Sequence, residues 1–232
     1  MARIGLNNLW YAKLTESGNT FTYGGALSFG KAVSCNVSVS NNSASLYADD
    51  VLAESDTSFQ SGTVTLGVDD DREATFADVL GHTVTAGGEV VRNSGDVAPY
   101  VGLARIVVKM VNNVKVYKAE IIYKVKFGEP SQEDTTRGES VEFKTPEIEG
   151  QISTLNNGSW STSKTFNNKS DCYDYIMGIL GSPVEHTYTI VTSTTGKNPL
   201  NEGWFIKNGT DYIRALDTTP VASRTYYEQD AD

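Results

Sequence analysis

Alternation of apolar and polar residues with a period of two dominates this chain. Between Val33 and Val39, valine and cysteine positions alternate with serine and asparagine, the pattern of a strand with one buried and one solvated face. Tyr117–Phe127 repeats this alternation and predicts a single apolar face, whereas Val101–Val111 is nearly continuously apolar and predicts burial on both faces. Asn112 and Asn113 separate these two runs. Because asparagine tolerates the left-handed backbone of tight turns, the two runs predict one long antiparallel hairpin.

Shorter runs of the same kind predict further strands in the first two thirds of the chain. They are Leu9–Leu14, Phe59–Val68, Ser140–Thr145, Ile148–Thr154 and Trp160–Phe166. Two polar segments between them, Ser40–Ser45 and Glu129–Gly138, predict loops. The first belongs to a longer Ser/Asn-rich stretch, Ser40–Ser58, that is long for a connection in a compact domain.

Two segments have the three-and-four spacing of helices instead. One has Asp69–Asp71 near its positive N-terminal end and Gly81 as its C-cap. The other begins with Ser170 as N-cap, carries an apolar stripe to Leu180, and stops at Gly181. The sequence therefore predicts a mainly β (α+β) fold with one or two short helices packed on a sheet.

The chain changes character after Gly181. His186–Thr192 alternates like a strand, and Asn208-Gly209 lies between two further apolar runs. Asn-Gly is the strongest short hairpin signal. We therefore expect a main domain over 1–181 and a C-terminal β-hairpin extension over 182–232.

Charge narrows the classes of partner. The 232 residues contain 19 Lys and Arg against 29 Asp and Glu, a net charge of −10. This balance argues against a protein that grips nucleic acid and against one that binds an anionic membrane surface.

The start of the chain lacks the apolar stretch of a secretory signal, and no apolar run reaches bilayer length. Cys35 and Cys172 are far apart in the sequence and form no disulfide framework. We expect a protein made in a reducing cytoplasm.

Candidate chemistry is sparse. No zinc, phosphate-loop or thiol redox motif occurs around His82, His186 or the two cysteines. His82 fits a partner of a helix C-terminus better than a catalytic base, and Asp69–Asp71 fits a helix N-terminus better than a calcium loop. Asp49-Asp50 with Glu54 could form the paired carboxylates of a glycosidase, although no aromatic groove accompanies them. We expect no enzyme activity, no cofactor and no metal.

Several segments closely resemble one protein family and occur in the same order along the chain. They are MARIGL (1–6), LWYAKLT (9–15), LYADD (46–50), DVAPYVG (96–102), KFGEP (126–130) and ESVEFKTP (139–146). Their counterparts belong to the major tail proteins, or tail tube proteins, of long non-contractile-tailed bacteriophages. The resemblance runs from Met1 to about Gly150, includes the second helix, and fades past Gly181.

This resemblance implies a β-sandwich or half-barrel of the phage tail-tube type. It implies that subunits form hexameric rings, stacked into the hollow tube through which phage DNA is ejected into the host. The implied partners are further copies of the chain, the tape-measure, tail-terminator and baseplate proteins, and DNA that passes through the lumen without specific binding. The implied location is the virion tail, after synthesis in the bacterial host cytoplasm, with no membrane partner.

Such a tube needs contacts between rings, and a segment that protrudes can supply them. We predict that the Ser40–Ser58 stretch docks on a neighbouring subunit and orders on assembly. Its candidate inter-ring contacts are Ala48, Asp49, Asp50, Val51, Leu52 and Glu54. Ala2–Leu6 is a second candidate arm, with a frayed terminus as the alternative. The Val101–Phe127 hairpin is a candidate for the lumen wall, with an interior sandwich hairpin as the alternative.

The acidic balance acquires a different meaning in a conduit for DNA. A lumen lined by carboxylates repels phosphates within a Debye length of about 8 Å and keeps DNA from adhering. The candidate lumen charges are Asp69, Asp70, Asp71, Glu120, Glu147 and Glu149, each with the solvated outer surface as its alternative.

The alternative hypothesis for the function of the whole chain is a non-enzymatic carbohydrate-binding or adhesin-like β module.

Overall fold

The fold was examined in a computed structural model of the chain. The structure describes residues 2–48, 51–69, 72–131, 145–182, 188–191, 194–195, 197–199, 204–208, 211–215, 219–221 and 224–229.

Strands account for most of the described chain, as the period of two predicts. The strands are β1 (Ala2–Ser17), β2 (Thr20–Tyr23), β3 (Leu27–Gly30), β4 (Ala32–Ala48), β5 (Val51–Val68), β6 (Thr83–Val84), β7 (Val90–Val91), β8 (Val101–Val111), β9 (Val114–Phe127), β10 (Glu147–Ile152), β11 (Ser161–Phe166), β12 (Tyr188–Ile190), β13 (Phe205–Asn208), β14 (Asp211–Arg214) and β15 (Tyr226–Gln229). The helices are α1 (Glu73–Leu80) and α2 (Lys169–Ile179). The mainly β prediction is confirmed.

The chain divides into two compact units, Met1–Pro183 and Val184–Asp232. The first unit contains one large antiparallel sheet in the order β2-β1-β8-β9-β10-β5-β4, with β3 paired to β1 and β11 paired to β9. β4, the last strand of this order, also contacts β1. The sheet therefore curls until β1, next to the first strand of this order, approaches its last strand, β4.

The β8–β9 hairpin is the clearest success of the sequence pattern. Asn112 and Asn113 both have positive φ, 48° and 63°, as a type I′ turn requires, and Val111 pairs with Val114 across them. Every residue of Val101–Val108 is buried. The continuous apolar run is thus covered on both faces.

A β-bulge in β9 alters the predicted face of this strand. Val101 pairs with Val125 but Leu103 pairs with Ile122, so β9 contains one extra residue between these pairs. Val125 therefore shares the core face with Ile122 rather than with Ile121. The prediction of a single apolar face over Tyr117–Phe127 is wrong for this reason.

Helices cover different parts of the sheet. α1 buries Phe76, Val79 and Leu80 in the core that contains Phe29, where the Phe29 and Phe76 rings meet edge to face at 6.1 Å. α2 lies against β8, β9 and β11 and buries Cys172, Ile176 and Met177. Tyr173 of α2 meets Trp10 of β1 at 5.5 Å.

The helix ends agree with the sequence at their C-termini and differ at their N-termini. Gly81 ends α1 with φ 80°, the left-handed conformation expected of a C-terminal glycine. The backbone of Asn168 is extended and the helix begins at Lys169, so the N-cap of α2 is Asn168. The prediction of Ser170 as N-cap is therefore wrong. The N-cap of α1 is Arg72; Asp69 follows the end of β5.

Two segments predicted to lie outside the sheet are part of it. Ser40–Ser45 lies within β4 and pairs with β5, because two polar strands can satisfy their backbone groups on each other whatever their side chains. Ala2–Leu6 pairs with Val107–Met110 of β8, so it is neither a free arm nor a frayed end. Glu129–Gly138 was predicted to be a loop, and its residues Glu129 and Pro130 lie in no strand. Residues 132–144, which include most of the predicted strand Ser140–Thr145, fall outside the described residues.

The second unit contains a four-stranded antiparallel sheet in the order β12-β15-β13-β14. The hairpin predicted at Asn208-Gly209 is present, since Asn208 pairs with Asp211. Trp204 and Tyr226 are buried together, and Trp204 Nε1 donates to Glu228 Oε1 at 2.9 Å. His186 lies outside the described residues.

Candidate functional site

The far part of the β4–β5 hairpin, Asn42–Ala48 with Val51–Ser58, extends as a two-stranded ribbon. β10 pairs with β5 only over Gly62–Gly67, and among the described residues no third strand pairs with the ribbon. At about 3.4 Å per residue the ribbon is roughly 20 Å long. The sequence predicted that Ser40–Ser58 is a long polar connection; its described residues instead form two paired strands.

The ribbon contains the predicted inter-ring contacts at its tip. Ala48 pairs with Val51, and Leu52 and Glu54 follow on β5. Asp49 and Asp50 lie outside the described residues. The structure therefore brings the described members of this set to one end of the ribbon, as neighbours along two paired strands.

The ribbon has an anchored base and polar flanks. Phe59, at the base, stacks on Trp160 with ring centroids 4.8 Å apart and an interplanar angle of 7°. Asn42, Ser43, Thr57 and Ser58 are all exposed. Because an isolated two-stranded hairpin is marginally stable in water, a ribbon of this length gains most from a surface that covers it.

The predicted lumen charges fall into three different environments. Glu147 and Glu149 lie on the exposed face of β10, alternating with the buried Ile148 and Ile152. Asp69 follows β5 and accepts a hydrogen bond from the Lys31 backbone N–H at 2.9 Å; that bond, with the Lys31 charge, lowers the pKa of Asp69. Among the members of this set that the structure describes, only Glu147 and Glu149 are brought together on one surface.

Asp70 and Asp71 lie outside the described residues. Glu120, the remaining candidate, occupies a cluster of opposite charge that the sequence reasoning did not anticipate. Its Oε2 accepts from Arg105 Nε at 2.9 Å and Nη2 at 2.7 Å. Its Oε1 accepts from Lys118 Nζ at 2.7 Å and Arg3 Nη2 at 3.1 Å.

This Glu120 cluster is partly enclosed. Arg105 is the only charged side chain in the buried set of the described residues, and its Nη1 also donates to the Cys35 carbonyl at 2.8 Å. Burial raises the pKa of Glu120, but the hydrogen bond from Lys118 and the charge of Arg105 outweigh it, and the pKa is lowered. Glu120 is thus an ionised, compensated carboxylate and adds no free negative charge to a surface.

The cluster forms one wall of a cavity of about 460 Å³, which we call the Glu120 cavity. It lies among β1, β4, β8, β9 and β11. Other parts of its wall are Trp160 and the hydroxyl residues Ser161, Thr162 and Ser163. Burial raises the pKa of the Cys35 thiol at this wall, and Arg105 opposes that effect, so the thiol is neutral at pH 7.

A second polar cluster surrounds His82 after α1. The imidazole is 4% exposed; its Nδ1 lies 2.8 Å from Asp96 Oδ2 and its Nε2 lies 2.7 Å from Glu129 Oε1. No hydrogen bond of good geometry forms at Nε2 among the described residues, so the Glu129 contact is a close approach without a hydrogen bond. The backbone N–H of His82 donates to the Ala77 carbonyl, as expected for a residue that completes a helix C-terminus.

The backbone N–H of Asn93 and then the His82 ring hold the pKa of Asp96 below its ordinary value. This arrangement ties the loop before β8 to the end of α1. The catalytic-base alternative for His82 gains no support from a nearly inaccessible ring held between two carboxylates.

Within the part of the chain that the structure describes, no three His, Cys, Asp or Glu side chains come together as metal ligands. No helix there is long and apolar enough to cross a membrane.

Comparison with known proteins finds no family model that matches this chain and no curated protein that is significantly similar to it.

Proposed function

We propose that this chain is a structural subunit that polymerises, as hexameric rings stacked end to end, into the hollow tail tube of a bacteriophage. The observation that carries the proposal is the β4–β5 ribbon, a strand pair that extends beyond the pairing with β10 and pairs with no other described strand. The ordered segments that resemble phage tail tube proteins support the same role.

The ribbon suits a contact that builds a filament. A heterologous contact that closes makes a ring, and a second that does not close makes an open polymer. The ribbon provides one such protruding contact, with the residues around Ala48 and Val51 at its tip. Covering it with the next ring stabilises both strands, because it gives the marginal hairpin a second surface.

Sheet edges provide the other contact. β4 is the last strand of the large sheet, and unpaired strand edges are templates for pairing with another chain. In the proposed assembly, pairing between neighbouring subunits of one ring converts this edge into part of a continuous wall. The β8–β9 hairpin, whose first eight residues are buried on both faces, then belongs to the subunit interior.

The acidic surface suits a tube that conducts DNA without binding it. The chain carries a net charge of −10, and Glu147 and Glu149 project from one exposed strand face. In the proposal these two glutamates face the lumen and repel phosphates. The role is non-catalytic, requires no cofactor, and places the protein in the virion tail with tape-measure, tail-terminator and baseplate proteins.

Negative-stain electron microscopy of the purified full-length chain tests the proposal. We expect hollow rods, or rings that stack into rods as the protein concentration rises. A carbohydrate-binding or adhesin-like module would instead remain monomeric and bind glycans on an array. Monomers at all concentrations, with or without glycan binding, would overturn the tube assignment.

A further inference from the structure

The Glu120 cavity contains more positive charge than its one carboxylate neutralises. Arg3, Arg105, Lys118 and Glu120 are the charged residues of its wall, so the formal charge is +2 once the carboxylate is counted. In a chain with a net charge of −10, such a concentration of cations is unusual. Half-buried charge of one sign is costly unless it is compensated.

The cations also have donors to spare. Glu120 already accepts four hydrogen bonds, two on each oxygen, and can accept little more. Arg3 uses one of its guanidinium donors on Glu120, and Lys118 uses one of three ammonium donors. Their remaining N–H groups, unlike those of Arg105, make no hydrogen bond to the residues that the structure describes and can reach a further acceptor.

Neutral donors lie on β11, the strand next to Glu120. Ser163 of β11 pairs in register with Glu120, and Ser161 with Ile122. Directly paired residues project on the same face of a sheet, so both hydroxyls lie on the face that carries Glu120. A group held by Arg3 and Lys118 is therefore within the same recess as the Ser163 hydroxyl.

We propose that the Glu120 cavity is a binding site for a compact doubly charged oxyanion of the phosphate class. A dianion matches the excess charge of +2, and arginine, lysine and hydroxyl donors are the groups that bind phosphate oxygens. The cavity volume, about 460 Å³, leaves room for a small substituent on a phosphate monoester. The site is independent of the assembly role.

Inorganic phosphate is the probe for this site. Isothermal titration and thermal unfolding of the full-length chain are to be compared in sodium phosphate and in sodium chloride at equal ionic strength and pH 7.5. We expect saturable binding with a matching rise in the unfolding temperature, since a ligand of the folded state stabilises it. A 31P NMR titration gives a readout of binding that does not depend on stability.

Matched variants locate the bound anion. Lys118→Gln and Ser163→Ala should each weaken phosphate binding, the first by about tenfold, because a charge-assisted donor is lost. Lys115→Gln removes the same charge from the exposed end of β9 and should leave the affinity unchanged. Ser163 is exposed, so its variant stays informative even if Lys118→Gln unfolds.

Three results would overturn the proposal: no saturable phosphate effect beyond that of chloride, equal affinities for Lys118→Gln and Lys115→Gln, or binding of duplex DNA without binding of inorganic phosphate. The last would assign the positive charge to a polymer surface.

Discussion

Arg105 and Glu120 face each other across the β8–β9 hairpin, and Nε and Nη2 of the arginine both donate to the single oxygen Oε2, at 2.9 and 2.7 Å. The pair lies two residues beyond Leu103 and Ile122, which are core residues on the same two strands. Leu103 and Ile122 line the Glu120 cavity together with this pair, so the apolar core and the charged cluster meet at its wall.

Arg105→Ala should lower the free energy of unfolding by about 3 kcal/mol, because it leaves a half-buried carboxylate with fewer partners and removes the donor to the Cys35 carbonyl. Urea unfolding measures the loss. Arg3→Ala removes a cation whose side chain is 60% exposed and should cost less than about 1 kcal/mol. Equal losses would show that burial does not strengthen the Arg105 contact.

Stability should depend on pH through Glu120. Its pKa is lowered on folding, so its ionised form stabilises the protein above the unfolded carboxyl pKa of about 4.3. That contribution is lost as the pH falls through the lower folded value. Urea midpoints of the wild type and Glu120→Gln should differ most at pH 6 and approach each other as the pH falls below about 4.3 toward the folded pKa of Glu120. A constant difference across this range would contradict the assignment.

Gly102→Ala should destabilise the fold. A Cβ at this position would lie 2.5 Å from Tyr23 Cε1, and the Tyr23 hydroxyl is fixed by donation to the Tyr123 carbonyl at 2.7 Å. We expect a loss of about 2 kcal/mol by thermal or urea unfolding. Gly5→Ala is the control, since a Cβ there meets nothing within 4 Å, and it should change stability by less than about 0.5 kcal/mol.

Replacing Asn42–Ser58 by Asn-Gly should abolish assembly without unfolding the monomer. Asn41 and Phe59 are directly paired, so a two-residue turn can join them, and the Phe59–Trp160 stack is retained. Circular dichroism and electron microscopy measure the two effects. Normal tubes from the shortened chain would remove the ribbon from the proposed contact.

Charge reversal of the proposed lumen pair should affect DNA passage and leave assembly intact. Tubes carrying Glu147→Lys and Glu149→Lys attract phosphates, so DNA release from assembled virions should slow. Glu73→Lys with Glu89→Lys makes the same charge change at two other exposed positions. Release that is equally fast in both double variants would contradict a lumen position for β10.

Local signals predicted the hairpins well and the connections poorly. The β8–β9 hairpin follows from Asn112-Asn113 and the apolar runs beside it, and counting back from that turn would also have placed Arg105 opposite Glu120. The ribbon was missed because serine and asparagine strands lack the apolar alternation on which strand prediction depends.

The sequence pattern could not predict which residues far apart in the chain come into contact. The β9 bulge reverses which residues face the core, and nothing in the alternation over Tyr117–Phe127 marks the extra residue. His82 was expected only at a helix end; its approach to Glu129 brings together residues 47 positions apart, which spacing alone cannot reveal. The Glu120 cavity likewise requires β1, β4 and β11 to converge on one hairpin.

The pairing of β1 with β8 has a consequence for synthesis. The longest pairing of β1 joins Ala2–Lys13 to Val101–Met110, about 90 residues later, and at about 5–20 residues per second that wait lasts on the order of 5–20 s. During this time β1 is a nascent strand without its main partner. Arg3, Asn7, Asn8 and Lys13 interrupt its apolar sequence, and such residues protect a waiting strand from pairing with the wrong chain.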